Sequence, residues 1–318
     1  MNYYEYSVSI PNLNELGYLK VIANFKDKHD RSAPSNFHWK VLKCRMIIFS
    51  HSSVLSCPDK SDIKEVHIVF KNEGPDYNEL TSLLLKFSLT PNGPIRKVTA
   101  EIYSMCFCYT MSAKLAPSWN VLGYNYFINN RDYLTASGPQ DGIKCLSSVD
   151  DNNITLKLKP VKVHFIRSRD KLNPGECVRV FPSLNKAVIE EYQENLPKGD
   201  FKCYKDLRRH WKNIHGYRLP EEEPKYYLVR FWRGEPLTYP DICLTTNYPN
   251  IIPIPKNVEK LVLSRFINCL KSKMPAVFGY PLIIKGMCSE NNYDNKNIEN
   301  IVETQVVSLC TPTQKTNK

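Results

Sequence analysis

At 318 residues, with 42% hydrophobic and 24% charged side chains, the chain has an ordinary globular composition and enough length for one large core or two smaller ones, which excludes disorder as its default state. Eleven cysteines scattered from Cys44 to Cys310 exclude a dense disulfide scaffold and fit a reducing interior, cytoplasmic or nuclear; the sequence shows neither a signal peptide nor an apolar run of membrane-spanning length, so secretion and membrane insertion are not expected. The net charge of +11 favours anionic partners, nucleic acid or an acidic protein surface, without choosing between them.

Tyr4, Tyr6, Val8 and Ile10 alternate at period two and predict a strand. The pattern from Trp39 to Phe49 suits a buried helix, and Ile63 to Phe70 a strand with Val66, Ile68 and Phe70 on one face. Asp76-x-x-Glu79 has the form of a capping box ahead of a helix carrying Leu80, Leu83, Leu84 and Phe87. Thr99 is placed to cap a helix through Met105, Cys106, Tyr109 and Ala113, which Pro117 stops. Strands are expected from Tyr124 to Ile128 and from Thr155 to Phe165, with Asp150-Asp151-Asn152-Asn153 as a turn, so this region reads as antiparallel sheet.

The polar segment RSRDKLNPG, Arg167 to Gly175, is the expected boundary between an N-terminal half, 1–170, and a C-terminal half, 171–288; residues 289–318 read as a polar, loose tail. In the second half Ser183 and Pro197 bracket an expected helix over Leu184 to Leu196. Phe201 to Leu244 is the stretch densest in aromatic and basic side chains. Its helix, Lys202 to Ile214, sets an apolar stripe of Tyr204, Leu207, Trp211 and Ile214 against Lys205, Arg208, Arg209 and Lys212; Gly216 fits the left-handed position beyond its end, and Pro220 prevents continuation. KYYLVRFWRGEPLTYPDICL then reads as a hairpin turning at Arg233-Gly234-Glu235. Tyr227, Val229 and Phe231 lie on one face of it and Tyr226, Leu228, Arg230 and Trp232 on the other, so it is buried on both faces or docks a partner on one. The prolines at 249, 253 and 255 require an extended connector, Asn257 is placed to cap a helix ending at Met274-Pro275, and Phe278 to Lys285 is expected as a strand.

No local chemistry is complete. Cys106-Phe-Cys108 lacks the second ligand pair a structural zinc site needs, and reads as buried helix cysteines. His210 and His215 lack an upstream cysteine pair, and five helical residues turn them about 140° apart, which argues against a shared metal. No G-x-S-x-G, G-x-x-x-x-G-K-[ST] or G-x-G-x-x-G occurs. Asp150-Asp151 falls in the turn and Glu190-Glu191 on the surface of the helix expected there, so neither pair reads as catalytic. A nucleophilic site would need a Cys or Ser within hydrogen-bond distance of His164, His210 or His215.

Five strings occur in a fixed order: AKLAPSWN at Ala113 to Asn120, Arg131-Asp132-Tyr133-Leu134, HWKNIHGYRLP from His210, TYPDICL from Thr238, and LKSKMPAVFGYPL at Leu270 to Leu282. With the opening SIPNLNEL they resemble the uncharacterised animal family whose human member is known as open reading frame sixty-three of chromosome eighteen, grouped under a domain of unknown function. The resemblance implies no activity, cofactor or catalytic residue. It also implies that this chain is without the extended polar C-terminal region of the longer vertebrate members.

The sequence therefore predicts an α+β fold, with mostly antiparallel mixed sheets and packed helices, in one large or two closely packed domains. It predicts a non-catalytic intracellular protein-interaction module without metal or cofactor. Lys205, Arg208, Arg209, Lys212, Arg218, Arg230 and Trp232 are its candidate binding surface, and an unidentified protein is its partner. The alternative is a nucleic-acid-binding accessory protein using basic faces and exposed aromatics.

Overall fold

The helix AEIYSMCFCYTMSAKL, Ala100–Leu115, has no continuous polar stripe, and a helix apolar on all sides is stable only inside a core. A computed structural model describing residues 3–23, 36–62, 64–72, 75–150, 152–166, 171–198, 201–232 and 235–287 places it between two sheets. Residues up to Met287 form one compact unit, and the tail expected over 289–318 lies outside the described residues.

In chain order the elements are β1 (Tyr4–Ser9), β2 (Leu16–Ala23), α1 (Asn36–Ser50), β3 (Val54–Pro58), β4 (Glu65–Lys71), α2 (Pro75–Lys86), β5 (Leu89–Pro91), β6 (Arg96–Lys97) and α3 (Ala100–Leu115). There follow β7 (Trp119–Leu122), β8 (Tyr126–Asn129), β9 (Gln140–Val149), β10 (Asn153–His164), β11 (Cys177–Val180), β12 (Asn185–Gln193), α4 (Tyr204–His215), β13 (Tyr226–Arg230) and β14 (Leu237–Pro240). Last come β15 (Leu244–Thr245), β16 (Asn250–Pro253), α5 (Lys256–Lys273), β17 (Ala276–Val277), β18 (Tyr280–Pro281) and β19 (Ile284–Met287). Among the described residues all pairings are antiparallel. The first sheet runs β19-β1-β10-β9-β8-β7 with β16 also on β10, the second β3-β4-β2-β5 with β6 on β2, and the third β14-β13-β12-β11-β15. The fold is α+β.

Alternation explains the layers. In the second sheet Leu19, Val21, Val66, Ile68 and Phe70 face α1 and α2, while Tyr18, Leu55, Cys57 and Val69 face α3. In the first sheet Phe127, Ile143, Leu156 and Leu158 face α3 and α5, and Leu122, Ile128, Val161 and Val163 face the third sheet. Phe266 of α5 meets Trp119 and Phe127 edge-on at 5.0 and 5.4 Å, geometry that adds about 1 kcal/mol per pair beyond area burial. Among the described residues no helix is long and apolar enough to cross a membrane.

Most predicted elements are present. Thr99 caps α3, accepting a hydrogen bond from the Ile102 N–H at 3.4 Å, and the Asp150 carboxylate accepts from the N–H groups of Asn152 and Asn153 at 3.0 and 2.7 Å to close the β9–β10 turn. Five expectations differ. The helix expected over 184–196 is the strand β12, held between β11 and β13, with Ala187 and Ile189 buried. Glu190-Glu191 accordingly lies at a β-bulge between Ile189 and Glu191, not on a helix. Asp76 sits inside the first turn of α2, which Pro75 opens, and α5 begins after Pro255, without a side-chain cap from Asn257. The strand expected over 278–285 is broken by a turn at Phe278 and Gly279, both at positive φ, into β17–β18 and β19.

Candidate functional site

The predicted surface is spread over three elements. α4 forms as expected: Leu207, Trp211 and Ile214 are buried, and Gly216 takes φ 76°, its N–H donating to Lys212 O. A Cβ at Gly216 would stand 2.7 Å from the Ala116 Cβ, so both conformation and space require glycine. Lys205, Arg209 and Lys212 are exposed and Arg208 is half-buried. The arginines of this surface are matched by carboxylates: Arg208 to Glu221, Arg209 to Asp206 and Arg218 to Asp132, each at 3.8 Å, and Arg230 to Glu190 across the bulge. Pairs of this kind contribute little to stability, but they cancel much of the positive field of that face.

The hairpin is buried where it joins the sheet and exposed at Arg230 and Trp232. Tyr226, Tyr227 and Val229 are buried, Arg230 is exposed, and the Trp232 indole is 94% exposed; the turn residues 233 and 234 lie outside the described residues. β12 is antiparallel to both β11 and β13, so the turn between β11 and β12 and the tip of the β13–β14 hairpin fall at the same end of the third sheet.

That end also holds a cleft of about 660 Å³, which the sequence did not announce. It is lined by Leu122, Gly123, Tyr124, Asn125, Tyr126, Arg179, Ser183, Leu184, Asn185, Lys186, Tyr248, Pro249 and Ile251. Three turns from distant parts of the chain build it. Gly123, at φ 59°, donates its N–H to Pro182 O at 2.7 Å and so ties the β7–β8 turn to the β11–β12 turn. Arg179 pairs with Lys186 on β12 and with Thr245 on β15, which brings Tyr248 over the guanidinium at 3.4 Å from the ring centroid. Arg179 Nη1 also donates to Leu184 O at 3.0 Å, so this cation is held in place before any ligand arrives. Among the described residues the lining has two cations, Arg179 and Lys186, and no carboxylate.

Two polar clusters lie elsewhere. At the end of the second sheet the Tyr18 hydroxyl stands 2.6 Å from His67 Nδ1, and His67 Nε2 2.7 Å from Asp59 Oδ2. A carboxylate only accepts, so the neutral ring donates from Nε2 and accepts the Tyr18 proton at Nδ1. Burial alone would raise the Asp59 carboxyl; N–H donation from Asp62 and Ser61, the Ser61 hydroxyl and His67 outweigh burial and hold it well below the usual carboxylate range. Burial lowers His67 and raises Tyr18. Lys20 bridges Glu65 at 2.7 Å and Asp59 at 3.6 Å, and buried Lys40 donates to the backbone oxygens of Asp59 and Asp62, each at 2.6 Å. The register β2–β4 creates this cluster, and no local motif signals it.

The second cluster corrects the reading of His210 and His215. Their rings do not diverge but gather with His38 of α1, with centroids 4.8 Å (His38–His210), 6.0 Å (His38–His215) and 6.4 Å (His210–His215) apart. They meet edge to face, as rings pack, and among the described residues no group of three or more His, Cys, Asp or Glu side chains is arranged to hold a metal. Burial, then His38, lowers His210 to about 4, and burial with His38, His210 and Arg45 lowers His215 well below its ordinary value. Phe201, Trp211 and Tyr217 pack their rings against this group. Cys106 is fully buried beside Cys57, Sγ to Sγ 3.6 Å, and Cys108 is half-buried with its thiol donating to Ser147.

The model of a family described as Domain of unknown function (DUF4708) matches residues 4–172 and 164–253. Among solved structures the chain is similar to Marinitoga piezophila Argonaute in complex with 5' OH guide RNA and target DNA, at 9% identity and a TM-score of 0.36 over 86% of this chain and 35% of that one. It is also similar to A. aeolicus Argonaute, at 12% identity and a TM-score of 0.30 over 89% of this chain and 43% of that one. The chain thus spans less than half of the length of these proteins, and similarity at this level carries no functional argument.

Proposed function

We propose that the chain, which belongs to the family described as Domain of unknown function (DUF4708), is a non-catalytic intracellular protein-interaction module whose contact surface is the tip of the β13–β14 hairpin. The same proposal places the human chromosome eighteen open reading frame sixty-three protein in this family, on the five strings quoted above. One observation carries the reading. Trp232 leaves an indole 94% exposed at the end of a strand whose other aromatics are buried, beside an arginine fixed by Glu190. Tryptophan and arginine are the side chains most enriched at the energetic centres of protein interfaces, and a bare indole in water is otherwise unfavourable. The basic side of α4 is the weaker candidate, because Arg208, Arg209 and Arg218 face carboxylates of the same chain.

The test compares partners retained from cell extract by the unmodified chain, by Trp232→Ala, and by Arg208, Arg209 and Lys212 all changed to Glu. Trp232→Ala is expected to weaken retention tenfold or more, since interface tryptophans cost about 2 kcal/mol or more on truncation, and to leave the melting temperature unchanged. Partners lost with the α4 charge reversal and kept with Trp232→Ala would move the surface to α4 and overturn the proposal.

A further inference from the structure

The cleft at the same end of the third sheet gathers exposed tyrosines and cations from three segments of the chain. Tyr124 is 86% exposed and Tyr248 61% exposed, so each offers an aromatic face to whatever enters. Tyr248 is already stacked on Arg179, which leaves its other face open and puts a fixed positive charge against the ring. Lys186 stands opposite Arg179 in the β11–β12 register, and cross-strand partners project from the same side of a sheet. Asn125, Asn185 and Ser183 add neutral donors and acceptors.

The positive charge continues outside the cleft. Tyr126, which lines it, is the register partner of Lys144, and Lys144 is the register partner of Lys159, so one row of the first sheet carries an aromatic and then two lysines. Lys144 Nζ lies 6.0 Å from the Tyr126 ring. Aromatic faces separated by cations suit a ligand that alternates flat rings with negative charges, and a row extending from the cleft suits a chain over a compact molecule.

From this arrangement we infer that the cleft formed by Tyr124, Arg179, Lys186 and Tyr248 binds single-stranded nucleic acid. The bases stack on the two tyrosines, and the phosphates pass Arg179 and Lys186 toward Lys144. The site differs in residues and in ligand from the protein contact proposed for Trp232, so either reading stands if the other fails. Sequence preference is expected to be slight, because stacking accepts every base.

Fluorescence anisotropy of short labelled oligouridylate and oligothymidylate tests the inference on the full chain. Binding at about 10 μM or tighter is expected at low salt, weakening as salt rises. Tyr124→Ala and Tyr248→Ala are each expected to weaken it about tenfold, the usual effect of removing one stacking partner. Both rings are largely exposed, so circular dichroism and the melting temperature are expected to stay unchanged. Lys186→Ala is expected to lower the slope of log affinity against log salt by about 0.7, one phosphate contact on a single strand. Wild-type affinity in the double tyrosine variant would overturn the inference. So would displacement of the oligonucleotide by polyglutamate at equal charge, which would mark a site for acidic protein, or by uridine monophosphate at equal concentration, which would mark a mononucleotide site.

Discussion

Replacing Asp59 with alanine is expected to lower the unfolding free energy by about 3 kcal/mol, a large share of the 5–15 kcal/mol typical of a domain. The carboxylate accepts four hydrogen bonds: from His67 Nε2, from the Ser61 N–H and hydroxyl, and from the Asp62 N–H. Its loss opens the turn before β4 and leaves a buried imidazole donor without an acceptor. Lys40, buried and donating to the Asp59 and Asp62 carbonyls, then loses the turn geometry that holds it. Removing one partner from a hydrogen-bonded charge cluster costs far more than the cluster contributes net, because the remaining groups stay desolvated. Tyr18→Phe is the graded comparison: it removes one hydroxyl from His67 Nδ1 and is expected to cost about 1–2 kcal/mol. Urea unfolding with an unchanged m-value measures both, and the Asp59/Tyr18 double variant should fall short of additivity, since both act through the His67 ring. An Asp59→Ala chain within 1 kcal/mol of the parent would sink the argument.

How much of this was legible depends on where the determining contacts lie. α4 could be read because its stripe, its glycine stop and its proline terminator are all local. β12 could not. Ala187, Ile189 and Tyr192 turn inward, but the bulge between Ile189 and Glu191 shifts the alternation, so the strand loses its period of two. With Ser183 before it and Pro197 after it, the segment imitates a capped helix, and only pairing with β11 and β13 decides the matter. Trp232 and Arg230 were visible as residues, yet their exposure was not, since both faces of that hairpin are rich in apolar groups. The cleft was invisible for a different reason. Its tyrosines sit 124 residues apart, Tyr124 in the β7–β8 turn and Tyr248 in the connection from β15 to β16, and the link between them is an Arg179 contact set by strand register. The cluster of Tyr18, His67 and Asp59 is likewise a product of β2–β4 pairing, and the histidine gathering needs α1 laid against α4. Helical geometry separates His210 from His215 about the axis, but it does not prevent long side chains from converging on a third ring beside them.

That gathering sets the second large expectation, a loss of stability in mild acid. His210 and His215 are neutral in the folded chain, held there first by burial and then by their neighbours. In the unfolded chain both return to the ordinary value of about 6.5. A depressed folded-state value means that the unfolded chain binds protons first as pH falls, so the contribution is fully present above about pH 6.5 and is lost as pH drops toward the folded value, about 4 for His210. At about 1.4 kcal/mol per pH unit, His210 alone costs about 2–3 kcal/mol by pH 4.5, and His215, also held well below its ordinary value, adds to the loss in the same direction. The neighbours that lower them are basic, His38 for His210 and His38, His210 and Arg45 for His215, and no carboxylate is among the groups that shift either histidine. Asp59 does not blur the window, because its carboxyl is held so low that its own contribution is lost only below about pH 4. Urea midpoints measured from pH 7 to 4.5 should therefore fall steeply for the parent chain. The slope should flatten when His210 and His215 are both changed to glutamine, whatever the stability of that variant at pH 7. A level parent profile, or an unchanged slope in the double variant, would show that the imidazoles accept protons in place and that burial at the α1–α4 junction does not hold them neutral.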